Sequence, residues 1–296
     1  MKTLYVEPDT NASRAAANFR LAGDTVKASL MDKIALSSQA VWLGHEWVSD
    51  PTKTVDAAVS ADTTKLRVFV VYDIVKRDVN AYSSGGAADS TKYLAFVAKI
   101  ALGLKGRLAW FILEPDAIPM AGELDAIDQA KRFALLSAAV DILTAAGGRV
   151  YIDAGGFNWI PAATISSRLI LSGIDRARGF SVNVSNSKLT TDCTTFANQI
   201  RASLVPHDSV HDYRFVIDTS RNGSGPPIGA IGEAMWCNPP SLRLGIKPTQ
   251  SLTIMKTTGC DAFLWVKRPG ESDGTCDGNP SAGKWSTDLA LKLAGF

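Results

Sequence analysis

Long hydrophobic runs are absent from this 296-residue sequence, and none approaches the roughly 20 apolar residues that a helix needs to cross a bilayer. An excess of one charge is absent too, because 31 Lys and Arg residues against 29 Asp and Glu residues leave a formal net charge of +2. Since no Lys or Arg cluster occurs either, we expect neither a membrane nor a nucleic acid as a partner. A neutral polymer or a small molecule suits this balance better.

Cysteine is scarce, and the four that occur never form a C-x-x-C pair. They are Cys193, Cys237, Cys260 and Cys276. This number is too small for a disulfide scaffold and the spacing is unlike a zinc site, so we expect no metal or cofactor, and one or two disulfides remain open. Segment 1–10 lacks the apolar core of a signal peptide. The chain is therefore either cytosolic or the trimmed form of a secreted protein with an added Met.

A strand pattern followed by a helix pattern recurs along the chain. The strand runs are hydrophobic throughout, which is typical of strands covered on both faces. They are 40–44, 66–74, 109–114, 149–153, 179–184, 214–218 and 261–267. Between them, apolar spacing predicts helices at 90–104 and 123–146. Repeated βα units indicate a parallel sheet, and their number favours an α/β fold, a TIM-like barrel of about seven strands forming one domain over 1–296.

Acidic side chains lie where these strands leave the core. They are Asp73, Asp78, Glu114, Asp116, Asp153, Asp218, Glu271 and Asp273. A barrel gathers its strand ends into one ring, so several carboxylates share a cleft and at least one has a raised pKa. A protonated acid beside an ionised partner is the equipment of glycoside hydrolysis. One Asp at a strand end is more often a turn former or a helix cap, so the hypothesis depends on the whole set.

Tryptophans supply a second signal for a sugar-binding cleft. Four of them lie in or beside the loops that follow predicted strands, namely Trp42, Trp47, Trp159 and Trp236. Indole rings stack on the apolar faces of sugar rings, while neighbouring polar groups serve the hydroxyls. The alternative interpretation is a hydrophobic lid over the barrel.

Six ordered blocks of sequence carry a resemblance to a known family. They are VVYDIVKRD, ILEPD, YIDAG, VIDTSRNGSGP, WCNP and FLWVKRPGESDG. With them the chain resembles glycoside hydrolase family 6, the inverting endoglucanases and cellobiohydrolases that cleave β-1,4-glucan, over nearly its whole length. The resemblance implies a distorted parallel barrel, in agreement with the strand pattern.

The resemblance also implies roles for particular residues. Asp116 matches the general acid, Asp78 the aspartate that keeps this acid protonated and helps to organise the attacking water, and Asp273 the usual candidate for the base. Tyr72 matches a tyrosine that crowds the distorted sugar, and Ser84 a serine on the water path. Whether the base acts directly or through a chain of waters stays open.

Substrate-binding positions follow from the same resemblance. They are Trp42, Trp159 and Trp236 as stacking platforms, Lys267 and Glu271 beside the base, Asp153 in the cleft, and Arg77 and Arg221 as arginines that pair with the aspartates. The chain departs from the family at Gly156, where His is usual, and at Val79, where Cys is usual. One polar contact and one disulfide are therefore expected to be missing.

The remaining cysteines and the last loop complete the expectations. The resemblance pairs Cys237 with Cys276, whereas Cys193 and Cys260 match nothing and are predicted to be buried free thiols. About a dozen residues separate Asp273 from the final helix pattern, which is short for a roof over the cleft. We therefore expect a secreted, monomeric endo-1,4-β-glucanase that binds cello-oligosaccharides or β-1,4-glucan. The alternatives are an exo-acting cellobiohydrolase of the same family and a glucan-binding protein that has lost catalysis.

Overall fold

The computed structural model describes residues 2–79, 81–227 and 236–296, and in these ranges seven β-strands alternate with nine α-helices. The strands are β1 (Val41–Leu43), β2 (Val68–Val71), β3 (Trp110–Leu113), β4 (Arg149–Asp153), β5 (Gly179–Val182), β6 (Arg214–Asp218) and β7 (Cys260–Leu264). The helices are α1 (Asn11–Leu21), α2 (Thr25–Ala35), α3 (Pro51–Ser60), α4 (Ser90–Leu104), α5 (Ala126–Ala145), α6 (Ala162–Leu171), α7 (Thr190–Leu204), α8 (Leu252–Thr258) and α9 (Thr287–Ala294). No helix in these ranges is both long and apolar enough to span a bilayer.

All seven strands belong to one parallel sheet, in the order β1 to β7. The sheet curls until Ala40, before β1, donates its backbone N–H to the carbonyl of Trp265, after β7 (3.0 Å). Among the described residues β1 and β7 share no ladder, so the barrel is distorted and incompletely closed. The predicted α/β class and the number of parallel strands are confirmed.

The central strands are buried on both faces, which explains their continuous apolar sequences. In β3, Trp110 and Ile112 pack inside the barrel with side chains of the other strands. Phe111 and Leu113 point the other way and pack in the larger core that includes helix residues such as Leu136. Because alternate residues of a strand face opposite sides, both sets must be hydrophobic.

The strand β2 is shorter than the predicted run 66–74 because a side chain replaces its ladder. The buried carboxylate of Glu114, just after β3, accepts the backbone N–H groups of Asp73 and Ile74 at 3.0 Å each. These contacts tie the ends of β2 and β3 together. The chain after β2 is thus free to turn toward the barrel mouth.

Candidate active site

A cavity of about 640 Å³ lies at the carboxyl ends of the strands. The residues proposed from the sequence that line it are Trp42, Tyr72, Asp78, Asp116, Trp159, Arg221, Trp236, Lys267, Glu271 and Asp273. They come from distant parts of the chain and meet here because parallel strands all end on the same side of the sheet. The cavity is large enough to hold a section of an extended ligand.

Asp116 is held at the cavity wall by a second carboxylate beneath it. Its backbone is left-handed (φ 68°), and its N–H donates to the fully buried Asp153 (2.9 Å). Asp153 also accepts from the N–H of Gly155 (3.0 Å) and the hydroxyl of Ser181 (2.8 Å). Burial, with the neighbouring carboxylates of Asp78 and Asp153, raises the pKa of Asp116 well above its usual value. Asp116 therefore retains its proton to a higher pH than an ordinary aspartic acid.

Asp78 faces Asp116 from the loop after β2. It too has a left-handed backbone (φ 46°), and its carboxylate accepts a hydrogen bond from the hydroxyl of Tyr72. Burial raises the pKa of Asp78 to about 7 against the opposing effect of the Arg132 cation, and burial raises that of Asp153 to about 6. The three aspartates titrate as one coupled group in which not all members ionise together.

Arg132 of α5 joins the two loops that carry these acids. Its buried guanidinium donates to the carbonyl of Lys76 (2.5 Å) in the β2 loop and to that of Ala117 (3.4 Å) in the β3 loop. Through these bonds one helix fixes the position of Asp78 relative to Asp116.

Asp273, from the loop after β7, has the opposite electrostatic environment. Its carboxylate meets the Arg221 guanidinium (Nη1, 2.5 Å), the Lys267 ammonium (3.0 Å) and the backbone N–H of Asn238 (3.0 Å). Burial opposes ionisation, but the two cations outweigh it and lower the pKa of Asp273 far below its usual value. The cavity thus holds one carboxyl group whose pKa is raised and one whose pKa is lowered.

Glu271 is a further carboxyl group in the cavity. Burial raises its pKa, although the Arg268 guanidinium lies 3.1 Å away and Lys267 is near. In the described part of the chain no cluster of three or more His, Cys, Asp or Glu side chains is arranged to hold a metal ion.

All four loop tryptophans named from the sequence line the cavity. Trp42 is fixed by a hydrogen bond from Nε1 to the carbonyl of Val266 (2.8 Å). Trp47, Trp159 and Trp236 are 52%, 44% and 49% exposed, so about half of each side chain is available to a ligand. This exposure favours a binding role over a closed hydrophobic lid.

Three of the sequence-based assignments do not agree with the geometry. Asp153, expected to bind substrate in the cleft, is fully buried and does not line the cavity, because it supports Asp116 from beneath. The other two lie in the loop after β2. Arg77 does not line the cavity or pair with an aspartate; its guanidinium binds the carboxylate of Glu46 (2.8 Å). Ser84 is exposed away from the cavity wall, to which its neighbour Ser83 contributes instead. Both differences arise in the loop after β2, whose path depends on contacts with another loop.

Two strand-end carboxylates are structural. Glu114 ties β2 to β3, as described above. Asp218 is fully buried and accepts backbone N–H groups from Ser185 (3.0 Å), Ser220 (2.9 Å) and Lys267 (2.9 Å). The simple interpretation of a strand-end Asp as an organiser of turns is correct for Asp218.

Sequence reasoning missed some of the cavity wall. Met120, Asn186 and Lys284 also line it. Beside Asn186 lies Gly156, where an added Cβ would meet only the amide of Asn186 at 3.7 Å. No local pattern marks such loop residues, so only the folded arrangement of loops identifies them.

Cys237 and Cys276 form a disulfide, as predicted, while Cys193 and Cys260 are buried and free. The bridge holds the segment of Asn238 beside the loop of Asp273. Asn238 contributes its backbone N–H to Asp273. The disulfide therefore supports one wall of the cavity.

Replacing Cys237 and Cys276 by Ser is expected to lower the free energy of unfolding by about 4 kcal/mol, the loop-entropy value for a sequence separation of 39. Thermal unfolding with and without dithiothreitol measures the effect. Reductant should lower the melting temperature of the wild type and leave that of the double variant unchanged. Equal melting temperatures for the two proteins without reductant would contradict a stabilising bridge.

The sequence profile of glycosyl hydrolases family 6 matches residues 1–295. The chain belongs to glycoside hydrolase family 6. This family 6 chain is 40% identical over 296 residues to endoglucanase A of Cellulomonas fimi, across 98% of its own length and 60% of that protein's. It is 37% identical to endoglucanase 1 of Streptomyces halstedii, across 98% of this chain and 87% of that one.

A solved structure gives the same family 6 assignment. The endoglucanase Cel6 from Mycobacterium tuberculosis, solved in complex with methyl-cellobiosyl-4-deoxy-4-thio-β-D-cellobioside, superimposes with a TM-score of 0.88 at 36% identity. The match covers 99% of this chain and 96% of that one. The chain thus has the fold of glycoside hydrolase family 6.

Proposed function

We propose that residues 1–296 form a single catalytic domain that hydrolyses internal β-1,4-glucosidic bonds in cellulose or a related β-glucan, with inversion at the anomeric carbon. The proposal is carried by one observation. Asp116, whose pKa is raised by burial, and Asp273, whose pKa is lowered by two cations, line the same cavity. Inverting glycosidases use such a pair on opposite faces of the sugar.

In the proposed reaction Asp116 protonates the glycosidic oxygen, and water attacks the anomeric carbon and gives its proton to Asp273. Asp78 keeps Asp116 protonated, and Tyr72 crowds the sugar at the bond to be cleaved. The charges that keep Asp273 ionised also make it a weak base. A route for the proton through waters toward Asp78, whose pKa is about 7, therefore stays open.

The cavity wall fits a glucan chain. Trp42, Trp159 and Trp236 provide apolar faces for sugar rings, while Lys267 and Glu271 provide polar groups for hydroxyls. The endoglucanase names of the bacterial relatives support a β-1,4-glucan or cello-oligosaccharides as the ligand. We propose a monomer that needs no cofactor.

We also propose that the protein is secreted. The disulfide between Cys237 and Cys276 supports this assignment, because disulfides persist in oxidising compartments.

One observation supports exo-acting cleavage as the alternative. The ring of Tyr82, in the loop after β2, packs so closely on Gly274 that an added Cβ would lie 2.6 Å from Cγ of Tyr82. It also lies 5.8 Å from the ring of Trp236. The loop that carries Tyr82 therefore contacts the loops of Gly274 and Trp236 beside the cavity. Loops that meet in this way enclose a cleft, and a polymer enters an enclosed cleft by its end.

Viscometry and reducing-sugar assays on carboxymethyl cellulose distinguish these activities. Endo-acting hydrolysis lowers the viscosity steeply before many reducing ends appear. Release of cellobiose with little change in viscosity would instead establish exo-acting cleavage. Binding without any release of sugar would overturn the proposed hydrolysis.

The dependence of kcat/KM on pH tests the two carboxyl groups. Activity requires Asp116 protonated and Asp273 ionised. Because the pKa of Asp116 is raised, activity should persist to a higher pH than an ordinary carboxylic acid would allow, and because that of Asp273 is lowered, it should persist to a lower pH than an ordinary carboxylate would allow. Initial rates on a soluble cello-oligosaccharide from pH 3 to 9 measure the profile. A narrow optimum with an acid limb above about pH 5 would contradict the ionised Asp273.

A further inference from the structure

Residues 45–47, in the loop after β1, contact the loop after β2 at successive positions. The carboxylate of Glu46 binds the Arg77 guanidinium at 2.8 Å. The ring of Trp47 stacks on that of Tyr72, with centroids 6.1 Å apart and planes 18° apart. Apart from the exposed ring that Trp47 offers to a ligand, the proposed reaction assigns no role to this segment, although it contacts the loop that carries Asp78.

His45 makes the third contact of the segment. Its backbone N–H (3.2 Å) and its Nδ1 (2.5 Å) both meet the buried carboxylate of Asp73. Burial raises the pKa of Asp73 against the opposing effect of His45. The segment 45–47 therefore holds the loop after β2 where that loop begins.

Arg77 is the centre of the loop after β2. It is 2% exposed, and its guanidinium donates to the carbonyls of Tyr72 (Nη1, 2.8 Å) and Ser83 (Nε, 3.0 Å). Its backbone exchanges two hydrogen bonds with Gly85, at 3.1 Å each. Arg77 thus closes the loop on itself, and Glu46 is its carboxylate partner among the described residues.

The glycines at the end of this loop leave space for the Glu46 carboxylate. A Cβ at Gly85 would lie 2.3 Å from Glu46 Oε1 and 2.8 Å from Arg77 Nη2. The same oxygen lies 3.4 Å from the N–H of Gly86. The carboxylate therefore occupies the position that a side chain at Gly85 would take. It contacts Arg77 near the start of the loop and Gly86 near its end.

We propose that Glu46 is a positioning residue that, through Arg77, fixes residues 77–79 and 81–86 of the loop after β2 and thereby sets Asp78 against Asp116. This role rests on the proposed hydrolysis. Asp78 directly follows Arg77. Loss of the ion pair between Glu46 and Arg77 therefore loosens the loop next to Asp78, the residue whose carboxylate raises the pKa of Asp116. The ionisable groups that face Asp78 are Tyr72, Asp116, Glu123, Arg132 and Asp153.

The test compares Glu46→Gln with Glu7→Gln. Glu7 is a matched control, since its half-exposed carboxylate also pairs with a buried arginine, Arg67 (3.1 Å), but at the other end of β2. Both variants lose one such ion pair. Thermal unfolding of each shows the purely structural effect, and Glu46→Gln folds because Glu46 lies at the surface with its side chain 35% exposed.

For Glu46→Gln we expect kcat/KM on cellotetraose to fall about 10-fold or more, the effect of a small misplacement of a catalytic group. The alkaline limb of its pH profile should move to lower pH, because Asp116 loses the nearby carboxylate that raises its pKa. The rate on 2,4-dinitrophenyl β-cellobioside should change much less, because this leaving group needs no proton. Glu7→Gln should retain the wild-type rates and pH profile.

Each other result has a definite meaning. Equal rates and pH profiles for Glu46→Gln and Glu7→Gln would overturn the positioning role. A fall of the same size on both substrates together with an unchanged alkaline limb would overturn it as well, because neither the proton transfer from Asp116 nor its pKa would then depend on Glu46. A wild-type protein that cleaves neither substrate would overturn the proposed function itself.

Discussion

Asp116→Asn is expected to lower kcat for cellotetraose hydrolysis by about 10³-fold, within the range that a positioned general acid contributes. An amide cannot donate the proton that the glycosidic oxygen requires. Asn also tolerates the left-handed backbone at this position (φ 68°) and nearly preserves the side-chain volume, so the fold is kept. Steady-state kinetics and calorimetric titration with cellotetraose measure the two effects separately.

Binding of cellotetraose by Asp116→Asn should stay close to that of the wild type, because the tryptophans of the cavity wall are untouched. Asp141→Asn, at a surface pair with Arg176, serves as the control and should retain full activity. Near-wild-type turnover by Asp116→Asn would remove Asp116 from the role of the acid.

Asp273→Ala is expected to damage both activity and stability. Its removal leaves the cations of Arg221 and Lys267 buried without their partner, which costs about 3–5 kcal/mol of unfolding free energy. Loss of the base should lower kcat of the folded protein by about 10²–10⁴-fold. Urea unfolding measures the loss of stability. Steady-state kinetics, corrected for the fraction of folded protein, measure the loss of kcat.

Asp261→Ala separates the two effects of Asp273→Ala. Asp261 is buried and binds Arg178 (2.8 Å) and the hydroxyl of Tyr151 (2.8 Å), in the part of β7 remote from the cavity. This variant should lose comparable stability and keep its kcat. Sodium azide should restore turnover to Asp273→Ala by yielding an α-glycosyl azide, because azide needs no base. If kcat were unchanged in Asp273→Ala, the water-chain route toward Asp78 would be favoured instead.

The β/α pattern could be predicted because buried strands leave a continuous apolar signal. The runs 149–153 and 214–218 have the bounds of β4 and β6. The helix predicted at 90–104 is α4, and α5 lies inside the run 123–146. The predicted run 66–74 extends beyond the end of β2, because the N–H groups of Asp73 and Ile74 donate to the Glu114 carboxylate instead of to a neighbouring strand. The local sequence does not indicate this contact.

The candidate site was predictable where residues directly follow strands and not where loops meet. Asp78, Asp116 and Asp273 share the cavity because the barrel places their strand ends together. The partner of Arg77 could not be foreseen, since Glu46 precedes it by 31 residues and approaches only when two loops pack. Whether Ser83 or Ser84 lines the cavity depends on the local path of the loop. No periodic pattern in the sequence indicates that path.

The left-handed backbone at Asp78 and Asp116 has a consequence for the evolution of this protein. Each such residue costs about 1 kcal/mol relative to a relaxed backbone, and the crowded carboxylates add repulsion. A glycine at either position would relieve both costs at once. Selection for heat resistance alone would therefore favour inactive descendants, and a thermostable working enzyme must obtain its gains away from the barrel mouth.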